Sequence, residues 1–228
     1  MTYGLGRVHM PDQRDGAFPM STLLDRAEPD ELTRSWRYWN AEGWWGDQLS
    51  TPHCVAFSWA HWLEDGPTTQ PETPHGTGPV VDTTDLYNAA QLVDEWPGEG
   101  YDGTSVRAGA KILQQRGFIS AYHWASPNDP LMDVIDAILT TGPVVVGTNW
   151  YRSMFTPDDM GFLQVEGSIA GGHAYLLNGV NVKRGVVRVK NSWGQDWGSR
   201  GHALLSFEDI ESLLLEDGEA CLADEVRV

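Results

Sequence analysis

The densest apolar block of the chain begins at Cys54, where Val55, Ala56, Phe57, Trp59, Ala60, Trp62 and Leu63 follow Thr51-Pro52-His53. Apolar residues nearly all round a helical period predict a buried helix, with Cys54 in its first turn. Further on, Leu86, Ala89, Ala90 and Val93 recur at helical spacing within 84–96, with Thr83 or Thr84 as the cap. Val106, Ala110 and Leu113 repeat that spacing within 104–116 and stop at Gly117, and a third stretch over 131–141 stops at Gly142. Between the first two lies 66–84, whose prolines and glycines read as a loop. After Pro143 the pattern changes to short β-type runs at 144–146, 174–180, 186–189, 203–207 and 225–228. Val182-Lys183-Arg184-Gly185 forms a turn between two of them, so antiparallel pairing is expected.

A helical part followed by a β part predicts an α+β fold of two lobes with a cleft between them. The division is expected at 142, giving a mainly helical lobe over 36–142 and a mainly β lobe over 143–228. Residues 1–35 carry no sustained periodicity and read as an extended arm that either wraps the domain or stays mobile.

Composition narrows the function classes. With 15 Lys plus Arg against 32 Asp plus Glu, the formal charge is −17. Such a field repels phosphate backbones and anionic lipid, so neither nucleic acid nor a membrane surface is an expected partner. No apolar run approaches the roughly 18 residues of a membrane span, and the N-terminus lacks the layout of a secretory signal. With two cysteines and no CxxC pair, a reducing, intracellular compartment is the simpler expectation. A disulfide between Cys54 and Cys221 would silence the thiol. The 11 tryptophans are many, and Trp36, Trp39, Trp44, Trp45, Trp59 and Trp62 read as a core and lobe-interface cluster rather than a ligand platform.

The chemistry-bearing residues are Gln48, Cys54, His173 and Asn191. A cysteine on an apolar helix is, taken alone, a small core residue. At a helix N-terminus, however, the macrodipole favours the thiolate, and an imidazole partner favours it further. Gln48 is close enough in sequence for its amide and the Cys54 backbone N–H to point at one oxygen. His173 follows Gly171-Gly172 at the start of a β run, and Asn191 ends the next one. Neighbouring strands can bring that amide beside the imidazole, where it accepts from one ring nitrogen and leaves the other facing sulfur. No HExxH or cysteine cluster offers a metal site, and no cofactor is expected.

Gln48-(x)5-Cys54-Val55-Ala56-Phe57-Ser58, then Gly172-His173-Ala174, then Val189-Lys190-Asn191-Ser192-Trp193-Gly194-Gln195-Asp196-Trp197-Gly198 and Gly201 resemble the ordered motifs of papain-like cysteine peptidases. The resemblance runs from about residue 36 to 207 and implies a mainly helical N-terminal lobe facing an antiparallel, β-barrel-like C-terminal lobe across the active-site cleft. It implies Cys54 as nucleophile, His173 as base, Asn191 as its orienter and Gln48 as oxyanion donor. Trp193 would shield the His173 to Asn191 hydrogen bond. Ser105, Val106 and residues near Gly147 and Gly171-Gly172 would border the pocket for the second residue before the scissile bond, and an apolar side chain is the expected occupant.

Some positions depart from the family pattern. Val55 stands where tryptophan is usual, and Pro52-His53 where Gly-Ser is common. His53 would depress the thiol pKa if charged, and otherwise is simply solvated. No long segment precedes Gln48, so removal of a large propeptide is not expected, whereas an arm lying across the cleft is a regulatory hypothesis. The leading functional expectation is a peptidase acting on protein or peptide substrates through an acyl-thioester. Two alternatives stand beside it: a structural or binding component of a larger assembly, such as a viral particle, and a thiol amidase or transpeptidase acting on cell-wall or isopeptide bonds.

Overall fold

The computed structural model describes residues 3–24, 34–39, 44–66, 81–94 and 100–225. Helices α1 (Ser21–Leu24), α2 (Cys54–Asp65), α3 (Thr83–Val93), α4 (Val106–Gln115), α5 (Pro130–Thr140) and α6 (Phe207–Leu215) combine with strands β1 (Trp36–Tyr38), β2 (Ile119–Trp124), β3 (Val144–Tyr151), β4 (Ile169–Asn181), β5 (Val186–Lys190), β6 (His202–Ser206) and β7 (Glu219–Glu225). The strands form one antiparallel sheet in the order β2-β7-β3-β4-β5-β6, with β1 pairing the far end of β4. No described helix is long and apolar enough to cross a membrane.

Every residue of α2 is buried, as its apolar run requires. Its close approach to α4 depends on Gly109, where a Cβ would lie 2.3 Å from the Trp59 ring and 3.2 Å from Val55 Cγ1. The cap of α3 lies one residue before the first of those expected: Asp82 accepts from the Thr84 and Asp85 N–H groups. α4 is capped by Ser105, whose hydroxyl accepts from Ala108 N.

Two hydrophobic cores result. One gathers α2, α3 and α4 with the inward faces of β2, β3 and β4, and the other gathers α5, α6 and the opposite face of the sheet. The packing therefore does not divide at 142. α5 contributes Leu131, Val134, Ile135 and Ile138 to the core of the β part, because its apolar stripe faces the sheet and α6.

Three further expectations need correction. The last strand is β7, ending at Glu225; residues 226–228 lie outside the described ones, as does most of the 66–84 loop. The run expected at 203–207 ends at Ser206, which caps α6 by accepting from Asp209 N. The early tryptophans do not make one cluster: Trp59 and Trp62 are fully buried, whereas Trp36 is 59 % exposed.

The first residues wrap the domain. A 3-10 helix at Gln13–Ala17 is tied to α4 by the Asp15–Arg107 ion pair, and Met20 and Leu23 enter the second core. Upstream, Gly4 to Val8 run between the Ser50–Pro52 turn, Thr104 and Gly172.

Candidate active site

Cys54 opens α2, His173 lies on β4 opposite Thr148 of β3, and Asn191 follows the last residue of β5. Since β5 pairs with β4, the register that sets Leu176 against Lys190 carries the Asn191 amide back alongside the imidazole. His173 Nε2 and Asn191 Oδ1 are 2.8 Å apart. Oδ1 also accepts from Ser192 N at 2.8 Å, which fixes the amide as an acceptor toward the ring. His173 Nε2 therefore carries the proton, leaving Nδ1 as a bare acceptor. That atom is buried without a hydrogen-bond partner.

Aromatic rings close the other sides of the imidazole. Trp193 stacks on it with centroids 4.8 Å apart, and Trp150 meets it edge-on at 4.7 Å. Gln48 belongs to a loop clasped to the Asn191 segment: Gln48 N donates to Ser192 O at 2.8 Å, and Gly194 N to Gly46 O at 2.8 Å. The Gln48 side chain accepts from Ser192 Oγ and donates from Nε2 to Thr51 O at 2.7 Å and to Gly4 O at 3.2 Å. The oxygen expected at this amide is thus supplied by the chain's own fourth residue.

The first residues of the chain lie over the site. Tyr3 stacks on Trp193 at 4.4 Å. Gly6 N and Arg7 N both donate to Gly172 O, while Thr104 N donates to Gly6 O and Val8 N to Thr104 O. These bonds pair the arm parallel to Thr104. Glycine is required at two arm positions, because a Cβ at Gly4 would lie 2.0 Å from Thr51 O and one at Gly6 2.1 Å from Pro52 O.

This cover changes the ionisation expected of the sulfur. Burial pushes the Cys54 thiol up to about 11, against the opposing pull of N–H donors from Ala174, Gly6 and Val55 and of the Arg7 charge. Burial likewise lowers His173 to about 4, offset in part by Asn191. Burial in the covered site favours the neutral form of both groups, against the thiolate expected from the helix position alone. Both cysteines are free thiols. His53 is not simply solvated: it stacks on Tyr87 with centroids 4.1 Å apart, and desolvation lowers its pKa. It therefore tends to the uncharged state and does not supply the charge that would depress the thiol.

The residues expected to border a substrate pocket separate. Gly172 lies against the arm, and a Cβ there would sit 2.1 Å from Arg7 O. Ser105 instead donates to Asp94 Oδ1, and Val106 is buried in the helical core with its carbonyl accepting from Trp59 Nε1. Glu219 had no signal in the sequence. It opens β7 opposite Gly147 and accepts from Arg7 Nε at 2.9 Å.

The buried histidines carry a pH consequence. His173 and His202 are both lowered to about 4 by burial, below the 6.5 of an unfolded chain. A depressed folded value means stability present above pH 6.5 and lost as pH falls toward 4, by roughly 1.4 kcal/mol per unit for each group. Urea unfolding midpoints should therefore fall steadily from pH 7 to pH 4.5; a flat profile would contradict neutral burial of these rings.

The sequence model of the papain family cysteine proteases matches residues 99–217, more than half of the 228-residue chain. That span includes His173 and Asn191. Among curated proteins none matches in sequence. The fold is similar to that of xylellain, a cysteine protease from Xylella fastidiosa, with a TM-score of 0.74 and 17 % identity over 100 % of this chain and 98 % of that one. It is also similar to procathepsin B S9 from Trypanosoma congolense, with a TM-score of 0.68 and 14 % identity over 98 % and 87 % of the two chains. Bromelain from Ananas comosus, solved with the E64 inhibitor, matches with a TM-score of 0.59 and 15 % identity over 85 % of this chain and 100 % of that one. A helix opened by cysteine, a strand histidine held by an asparagine amide and this span of family sequence agree: the chain belongs to the papain family of cysteine proteases.

Proposed function

We propose that the chain hydrolyses peptide bonds through Cys54, His173 and Asn191, with Gln48 as an oxyanion donor, and that its first residues hold it latent. The observation that carries this reading is the bare, buried Nδ1 of His173, whose tautomer is set by the 2.8 Å contact from Nε2 to Asn191. With the arm displaced, water and substrate reach the sulfur. His173 Nδ1 takes the thiol proton as Sγ bonds to the carbonyl carbon, and Gln48 Nε2 with the Cys54 N–H receives the oxygen. The proton then passes from His173 to the leaving amine as the C–N bond breaks. Water attacks the thioester by the same base, releasing the acid and restoring the thiol. Asn191 holds the ring throughout, and Trp193 keeps water from the Nε2 hydrogen bond.

Latency follows from which atoms the arm presents. Gly6 presents its backbone N–H at the sulfur. An amide hydrogen is no electrophile, so this contact covers the sulfur without itself being attacked.

The test is alkylation by iodoacetamide near pH 7 in the full-length chain. Cys54 should react slowly in the wild type and at least about tenfold faster in Gly6→Val, whose side chain cannot fit beside Pro52 O. Arg7→Ala should give the same direction by loss of an ion pair. Labelling should vanish in Cys54→Ala. Equal, slow labelling of Cys54 and Cys221 in all chains would defeat the reading and favour a structural component of an assembly.

A further inference from the structure

One stripe of the otherwise apolar helix α2 carries chemistry. Cys54, Ser58, His61 and Asp65 follow one another at the alternating three- and four-residue spacing of a single helix face, and all are buried. Cys54 holds the sulfur, Ser58 Oγ donates to Cys54 O at 2.8 Å, and Asp65 pairs with Lys190. His61 is the member of the stripe that the hydrolysis described above leaves unused.

His61 Nε2 lies 2.9 Å from the Trp45 carbonyl oxygen, which can only accept, so Nε2 carries the proton. Nδ1 is buried with no hydrogen-bond partner among the described residues. Burial first, and then the Lys190 charge, hold the ring well below the ordinary histidine range, which keeps it an uncharged donor. An imidazole with one nitrogen unpaired is a costly choice for a packing position. What it adds over an aliphatic side chain is the Nε2–H.

The acceptor of that bond stands at the start of the loop that carries Gln48. Trp44 lies against the His61 ring with centroids 4.8 Å apart and stacks on Phe57 of the same helix at 5.8 Å. Gly46 turns at φ +62° beside both residues, where a Cβ would lie 2.7 Å from Phe57 Cδ1 and 3.1 Å from His61 Nε2. The loop thus has two anchors. Gly46 O and Gln48 N bond it to the Asn191 segment, and His61 bonds its start to the helix that opens with the nucleophile.

We infer that His61 is a positioning residue for hydrolysis: through the Trp45 carbonyl it fixes the loop that presents the Gln48 amide, and so sets where that amide meets the oxygen that becomes negative. This rests on the peptidase reading given above.

The experiment uses the full-length chain opened by Gly6→Val and a peptidyl-aminocoumarin substrate. His61→Leu keeps apolar bulk and removes the donor; it is expected to lower kcat at least about tenfold with KM within about threefold, because an oxyanion contact acts on the transition state. His61→Gln, whose amide nitrogen reaches about as far as Nε2, should stay within about threefold of the parent, whereas the shorter His61→Asn should behave like His61→Leu. Should His61→Leu fail to fold, His61→Gln against His61→Asn carries the same test. Added to Gln48→Ala, His61→Leu should cost less than about twofold more, since its effect runs through that amide. Alkylation of Cys54 by iodoacetamide develops no oxyanion and should change by less than about twofold.

An unchanged kcat, a loss that adds to that of Gln48→Ala, or alkylation slowed in parallel would overturn the proposal and confine His61 to packing α2, with hydrolysis still established. Should the parent cleave no peptide, the peptidase reading fails, and the anchor is then read by amide hydrogen exchange. The Gln48 and Gly194 N–H groups should exchange at least about tenfold faster in His61→Leu and His61→Asn than in the parent and His61→Gln. Equal exchange in all four chains overturns the anchor as well.

Discussion

Replacing His173 by alanine in a full-length chain opened by Gly6→Val is expected to lower kcat/KM for peptide hydrolysis by at least about 10³-fold, with the fold intact. The size follows from two roles in one ring. In the proposed mechanism Nδ1 takes the thiol proton, and the same ring must return it to the leaving amine. In the opened site, where the proposed imidazole partner would favour the thiolate, its loss should also raise the pH at which Cys54 is half-alkylated. Asn191→Ala should act less strongly and through orientation: Nε2 loses the acceptor that keeps Nδ1 unprotonated. An opened His173→Ala chain that hydrolyses peptides within tenfold of its parent would remove the imidazole from the mechanism.

The second large effect is on stability. Asp65, at the end of α2, and Lys190, at the end of β5, meet at 2.6 Å with side chains 0 % and 1 % exposed. Asn178 Nδ2 donates to the other Asp65 oxygen at 2.6 Å, and Arg188 Nε donates to Asn178 Oδ1 at 2.9 Å. Asp65→Ala strands a lysine ammonium in the interior, which costs about 3–5 kcal/mol. Lys190 directly precedes Asn191, so the same change should loosen the histidine's orienting amide. Chemical unfolding and kcat/KM measured together check both. A loss below about 1 kcal/mol would show that water reaches the pair.

The sequence was most informative where chemistry and local pattern coincide. The apolar run after Cys54 reads as a buried helix because its side chains have no polar face to offer solvent, and the Asn191-Ser192-Trp193-Gly194 block marks the strand end beside the imidazole. α6 was hidden because Ala203 to Phe207 carries β-type residues up to the very cap that starts the helix. β2 and β7 are held by each other across the sheet, a pairing that neither segment announces alone. Glu219 illustrates the general limit. An acidic residue after Asp217-Gly218 looks like a solvated turn, and only the register of β7 on β3 places it in the cleft. Arg7 is equally silent, since its ion pair spans almost the whole chain.

The covalent attachment of the arm to the site it covers has a consequence for how the latent form behaves. A cover that is tethered to its target acts as a competitor at constant effective concentration. Diluting the protein leaves its occupancy unchanged, and turnover does not consume it. Substrates must outcompete a neighbour that never diffuses away, so the onset of hydrolysis should depend on peptide concentration and not on enzyme concentration.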